Sequence, residues 1–138
     1  MATRTNPTFV FVTGAWHKPA YWSKVTALLS AQGFKSLTPS LPSTESNAST
    51  TLLDDITVIR DAITSETSEG RDVVVAVHSY GGIPGPSALK GLTKPKAGGN
   101  EDGKKQGYVI GYAMMATGFA ATGVAFLEGI GGSPPPCK

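Results

Sequence analysis

One cysteine, Cys137, is all that 138 residues hold. That excludes an internal disulfide framework and any cysteine-built metal cluster, and leaves a lone thiol near the chain end. Histidine is almost as scarce, with only His17 and His78. Charge of one sign is also lacking. Twelve Lys and Arg against ten Asp and Glu leave a net +2, which gives no electrostatic case for nucleic acid or an acidic partner. No run of 18 apolar residues occurs, so no membrane span and no membrane partner are expected. The opening "MATRTNPTFVFVTGAW" reaches no long apolar run before Thr13, so a signal peptide is not expected and a cytoplasmic protein is the default. What is present is 40% apolar residues, enough for the core of one domain over 1–138.

The apolar residues are organised. "TFVFVT" (Thr8–Thr13) is short and β-rich and reads as a buried strand. Pro19 suits a first helical turn. Trp22, Val25, Leu28 and Leu29 follow at helical spacing, and Gly33 supplies a stop. "FKSLTPSLP" reads as a short second strand and "STESNASTT" as a polar loop. Thr50 or Thr51 can cap a second helix, with Asp54 and Asp55 favourable near its N-terminus and Leu52, Ile56, Ile59 and Ile63 on one face. Gly70 ends it. "DVVVAV" (Asp72–Val77) is continuously apolar, as a central parallel strand covered on both faces must be.

A short helix with a disturbed start is expected over "GGIPGPSALKGL", because Pro84 and Pro86 cannot both sit in a helix interior. "TKPKAGGNEDGKKQ" reads as a solvated loop, its lysines interrupted by Glu101 and Asp102. "YVIGYAMMA" (Tyr108–Ala116) is a fourth strand, "ATGVAFLEGI" a further short helix, and "GGSPPPCK" a turn or tail. Strands alternating with helices predict an α/β fold, a parallel sheet with right-handed crossovers and helices on both faces.

The chemistry concentrates in "AVHSYGG", Ala76–Gly82. Strand, serine, glycines and helix in that order form the context of a nucleophile elbow, in which a serine stands on a tight turn flanked by small residues. Gly81 and Gly82 meet the requirement after Ser79. Before it, Val77 takes the place where G-x-S-x-G has glycine, which implies a different turn or strain relieved elsewhere. A strand-to-helix turn with an incidental serine is the competing reading. Acyl transfer also needs two backbone N–H donors for the developing oxyanion. The residue after the serine, Tyr80, would give one. The loop after the first strand, "TGAWH", would give the other.

Taken together, "FVFVTGAWHKPAYWSKVTALLSAQGFKSLTPSLPS" and "VVVAVHSYGG" resemble the α/β-hydrolase superfamily. The likeness is to its compact methylesterase and hydroxynitrile lyase group and their fungal relatives, whose first loop often reads "HGAWH" where this chain has Thr13. The resemblance implies a three-layer core, here truncated after the strand that follows the nucleophile helix. It implies Ser79 as nucleophile and the Ala15 and Tyr80 N–H groups as oxyanion hole. Gly14, Trp16, His17, Met114 and Met115 would line the substrate pocket.

The superfamily order is nucleophile, acid, histidine, and neither later member has a counterpart here. The side chain of His78 is expected to point away from the adjacent Ser79. His17 lies beside the first loop but lacks a carboxylate to orient it. Glu101, Asp102 and Glu128 have no placement by motif. Three functions remain open. One is a serine carboxylesterase acting on a small ester. Another is a catalytically incomplete protein that binds a small apolar ligand against Trp16, Tyr80 and Met114/Met115. The third is a hydroxynitrile lyase-type enzyme. No cofactor or metal is expected, since "GGIPGPS" lacks the G-K-[ST] of a phosphate loop. A sheet of four strands leaves an apolar edge, so pairing into a homo-oligomer is expected.

Overall fold

The computed structural model describes residues 6–45, 48–95, 106–129 and 131–132. Cys137, Glu101 and Asp102 lie outside them. Four strands form one parallel sheet: β1 (Thr8–Val12), β2 (Ser36–Leu37), β3 (Val73–His78) and β4 (Val109–Met115), in the spatial order β2-β1-β3-β4. The helices are α1 (Ser23–Ala31), α2 (Leu52–Thr67), α3 (Pro84–Ala88) and α4 (Phe126–Gly129). From β1 the chain moves one way to β2, then crosses back over β1 to reach β3. The order therefore reverses between β1 and β3, and in open α/β sheets ligands bind at such a switch point, outside the carboxyl ends of the strands.

Period-two alternation sorts side chains to the two faces. Val10 and Val12 of β1 and Val73, Val75 and Val77 of β3 pack with Ile59 and Ile63 of α2, Ala88 of α3 and Leu41. Phe11 and Ala76 point the other way, onto Trp22, with Phe9 and Leu29 alongside. Both faces of β1 and β3 are thus covered, which is why their sequences are continuously apolar rather than alternating. The expected three-layer parallel α/β architecture is what the structure has.

Local departures have physical causes. The segment expected as one helix from Pro19 starts as a 3-10 turn, Pro19–Trp22, before α1 begins. Only Trp22 of its apolar set is buried. Val25 and Leu28 are exposed. A second 3-10 turn, Pro42–Glu45, interrupts the expected polar loop. α2 starts after Thr51, one of the two caps open from sequence, where Asp54 accepts the Thr51 N–H at 2.7 Å, and Leu52 is half-exposed rather than part of the buried face. Beyond α3, Thr93 bridges Val109. The bulge between Val73 and Val74 then shifts the register of β4, and Ile110 is left exposed.

At the amino end of the sheet, Glu66 is buried on α2 beneath β1. It accepts hydrogen bonds from Thr8 Oγ1 at 2.7 Å, Lys35 Nζ at 2.7 Å and Arg71 Nε at 2.6 Å. Burial alone would raise its pKa. The Arg71, Lys35 and Thr8 donors outweigh that and bring it down from 4.5 to about 2. A carboxylate with a depressed folded pKa stabilises fully above its unfolded value and loses that contribution as pH falls toward the folded one. Stability should therefore decline between pH 4.5 and about 2, with Glu66 contributing roughly 2 to 3 kcal/mol of the change. Urea unfolding at a series of pH values should show Glu66→Gln less stable at pH 7 and flatter over that window. A variant with the wild-type slope would contradict the assignment.

Candidate active site

Ser79 follows the last residue of β3 directly. The chain there turns so sharply that Ser79 adopts φ +48°, a left-handed conformation uncommon for a residue with a Cβ. Its side chain is exposed. A 3-10 turn, Ser79–Gly82, and then α3 carry the chain away. Arg60 of α2 donates to the carbonyls of Ala88 at 3.1 Å and Lys90 at 2.7 Å, which fastens the far end of α3 to its neighbour.

The loop after β1 meets this turn at the switch point. A Cβ on Gly14 would stand 3.1 Å from Ser79 Cβ and 2.9 Å from His78 Nδ1, so only glycine lets the two backbones approach this closely. Gly81 makes the reciprocal approach, since its Cβ would fall 3.0 Å from the Thr13 carbonyl oxygen. Val77, the departure from the glycine pattern, is still a ladder residue paired with Val12 and Met114. Its side chain is fully buried under the elbow. Gly85 makes the room, because a Cβ there would stand 3.0 Å from Val77 Cγ1. The missing glycine before the serine is offset by one six residues after it.

Ala15 lies beside Gly14, and its N–H and that of Tyr80 are bound by no backbone carbonyl among the described residues. The Gly14 carbonyl accepts the His17 N–H at 3.2 Å. Nδ1 of His17 lies 2.8 Å from the Ala15 carbonyl oxygen. These two contacts hold Trp16 at φ +61°, with its indole 90% exposed. The His17 ring packs edge-on against Tyr21 at 4.5 Å and His78 at 5.8 Å, while His78 stacks on Tyr21 at 5.4 Å. Among the described hydrogen bonds, neither histidine is joined to the Ser79 hydroxyl. Three buried polar atoms near this cluster, Thr13 Oγ1, Trp22 Nε1 and His78 Nδ1, have no partner among the described residues.

Other expected site residues part company. The Tyr80 side chain turns inward, and its hydroxyl donates to Asp55 Oδ2 at 2.7 Å. Asp55 is fully buried on the first turn of α2, where its other oxygen accepts the Ser43 N–H at 3.0 Å. Burial, then the Asp55 carboxylate, pushes the Tyr80 phenol up to about 12. Tyr80 therefore offers its backbone to the site and not its ring, so it does not line the expected apolar pocket. Met114 and Met115 sit on opposite faces of the sheet. Met114 packs into the α2–α3 core, whereas Met115, opposite His78 in the ladder, is partly exposed. Only Met115 remains beside the strand ends that carry Ser79.

One contact has no sequence motif. Thr117, just past the end of β4, donates its hydroxyl to the Ser79 carbonyl oxygen at 2.5 Å. Among the described residues no cluster of three or more His, Cys, Asp or Glu could hold a metal ion, and no helix is long and apolar enough to cross a membrane.

The family model described as "Alpha/beta hydrolase family" matches residues 9–136. Over 89 residues, 64% of the chain, the sequence is 34% identical to the alpha/beta hydrolase nvfD of Aspergillus novofumigatus (strain IBT 16806). Over 95 residues, 67% of the chain, it is 30% identical to "Probable hydrolase R7" of Phoma sp.. The chain spans 36% and 39% of the length of these two curated relatives. An extracellular alpha/beta-hydrolase from a Paenibacillus species matches 62% of the chain at 23% identity with a TM-score of 0.49, over 34% of its own length.

The Tyr80–Asp55 bond makes a direct prediction. Tyr80→Phe leaves a fully buried carboxylate short of a donor, at a cost of about 1 to 3 kcal/mol. Urea denaturation should show a lower midpoint with an unchanged slope. An unchanged midpoint would mean that Asp55 does not depend on this hydroxyl.

Proposed function

This chain belongs to the alpha/beta hydrolase family, and we propose that it carries the nucleophile and oxyanion half of a serine carboxylesterase site for small esters. Ser79 Oγ attacks the ester carbonyl. The N–H groups of Ala15 and Tyr80 take the negative charge that develops on the carbonyl oxygen. The alcohol leaves, and water then releases the acid from the acyl-serine. The observation that carries this reading is the left-handed Ser79 set against the Gly14 backbone. Strain of that kind persists only where surrounding structure holds it, and it clusters at functional sites.

The serine proton must go to a base. His17 is committed to the first loop and His78 to the Tyr21 ring. The histidine and orienting acid of the working site therefore belong to neither position. A preorganised oxyanion site without its full triad still retains about 10³ to 10⁴-fold catalysis over water. That residual is what the chain itself should express.

Incubation with a fluorophosphonate and intact-mass measurement should give one slow adduct, mapped to Ser79. It should be absent from Ser79→Ala and from heat-denatured protein, and accelerated by added imidazole as an external base. No adduct on folded protein would overturn the esterase reading. It would favour a protein that binds a small apolar ligand without acylation, a reading supported by the absence of a described bond from either histidine to Ser79. The exposed edge residues Ile110 and Met115 of β4 support a further element of the proposal, pairing of that edge with another chain.

A further inference from the structure

We propose that Thr117 is a positioning residue for the oxyanion site, a role that rests on the reading of Ser79 and Tyr80 just given. A peptide unit is planar, and in the trans form its C=O and N–H point in opposite directions. The carbonyl of Ser79 and the N–H of Tyr80 belong to one such unit. Whatever holds the carbonyl therefore aims the N–H. Thr117 Oγ1 donates to that carbonyl at 2.5 Å, and its other neighbour, the Gly118 carbonyl oxygen, is distant at 3.3 Å. The hydroxyl is thus committed to the elbow.

The rest of the local structure brings Thr117 to that position. β4 pairs with β3 up to the couple His78–Met115, so the two strands end side by side. Ala116 then takes φ +47° and turns the chain toward the elbow. Gly82 leaves the space into which Thr117 fits, since a Cβ there would collide with the Thr117 side chain and the Gly118 carbonyl. The other donor is arranged in the same way. The peptide unit that ends in the Ala15 N–H has its carbonyl, that of Gly14, held by the His17 N–H at 3.2 Å. Each N–H is aimed from behind by a donor on its own carbonyl. The Thr117 bond also polarises its peptide unit, because linked hydrogen bonds strengthen one another. Thr117 touches no substrate atom in this arrangement and acts only through the Ser79–Tyr80 peptide.

Three variants test this. Thr117→Val keeps the shape and removes the hydroxyl, Thr117→Ser keeps the hydroxyl, and Thr117→Ala serves if the valine variant does not fold. The fluorophosphonate reaction of Ser79 is separated into probe binding and the bond-forming rate. The expected result is a bond-forming rate lower by about tenfold or more in the valine variant, binding of the probe unchanged, and recovery in the serine variant. A side chain that merely stabilised the fold would not produce that split with rescue. In parallel, the Tyr80 amide resonance and its hydrogen exchange are followed by NMR in the unlabelled proteins. They should move in Thr117→Val and not in Thr117→Ser. Wild-type rates and an unmoved Tyr80 amide in the valine variant would overturn the proposal. If wild-type Ser79 takes no label, the esterase reading fails separately, and the Tyr80 amide alone decides whether Thr117 sets this peptide.

Discussion

The structure turns on the backbone of one residue. Ser79 is held at φ +48°, where a residue with a Cβ costs roughly 1 to 2 kcal/mol relative to a right-handed conformation. Nothing in the serine itself favours that state, so neighbours must impose it. β3 enters the turn clamped in register between β1 and β4. Gly81 lets the far side of the turn sit against the end of β1. Tyr80 is anchored below to the buried Asp55, and the Ser79 carbonyl is anchored above by Thr117. With these supports in place, the serine stands exposed while Val77 before it and Gly81 and Gly82 after it are buried.

That arrangement divides the molecule along the strand direction. The amino ends of the strands hold the densest charge network, Glu66 with Thr8, Lys35 and Arg71, tying α2 to β1 and to the start of β3. The carboxyl ends hold glycines, left-handed residues and unpartnered buried polar atoms. Among the described residues, the buried polar atoms without a partner include Thr13 Oγ1 and His78 Nδ1 at the carboxyl ends and Ser36 Oγ at the amino end. Local strain and unpaired groups are expected where a protein binds or reacts rather than where it is merely held together.

Much of the fold was legible in the sequence because it depends on local rules. The continuous apolar runs of β1 and β3, the cap at Thr51 and the stops at Gly33 and Gly70 each follow from a short stretch of chain. The family resemblance rested on the stretch from Phe9 to Ser43 and on "VVVAVHSYGG", and the structure sets the first loop of the one against the turn that ends the other. The parts that were not legible depend on contacts distant in sequence. Val77 departs from the glycine pattern of the elbow, and the space for it comes from Gly85, eight residues later. Tyr80 was expected to line a pocket, but its ring follows a buried aspartate 25 residues earlier. Met114 and Met115 were expected to act together, yet a pleated strand sends adjacent side chains to opposite faces. Thr117 carries no motif, and only the ladder between β3 and β4 explains its contact with Ser79.

The central claim is that the Gly14–Ala15 loop and the Ser79–Tyr80 turn present two N–H groups to one oxygen bound at Ser79. A crystal structure of the protein carrying a phosphonyl or boronate adduct tests it most directly. The account predicts density continuous with Ser79 Oγ and one adduct oxygen at about 2.7 to 3.1 Å from both the Ala15 and Tyr80 nitrogens. An adduct whose oxygens all face solvent, with those two N–H groups directed elsewhere, would contradict it.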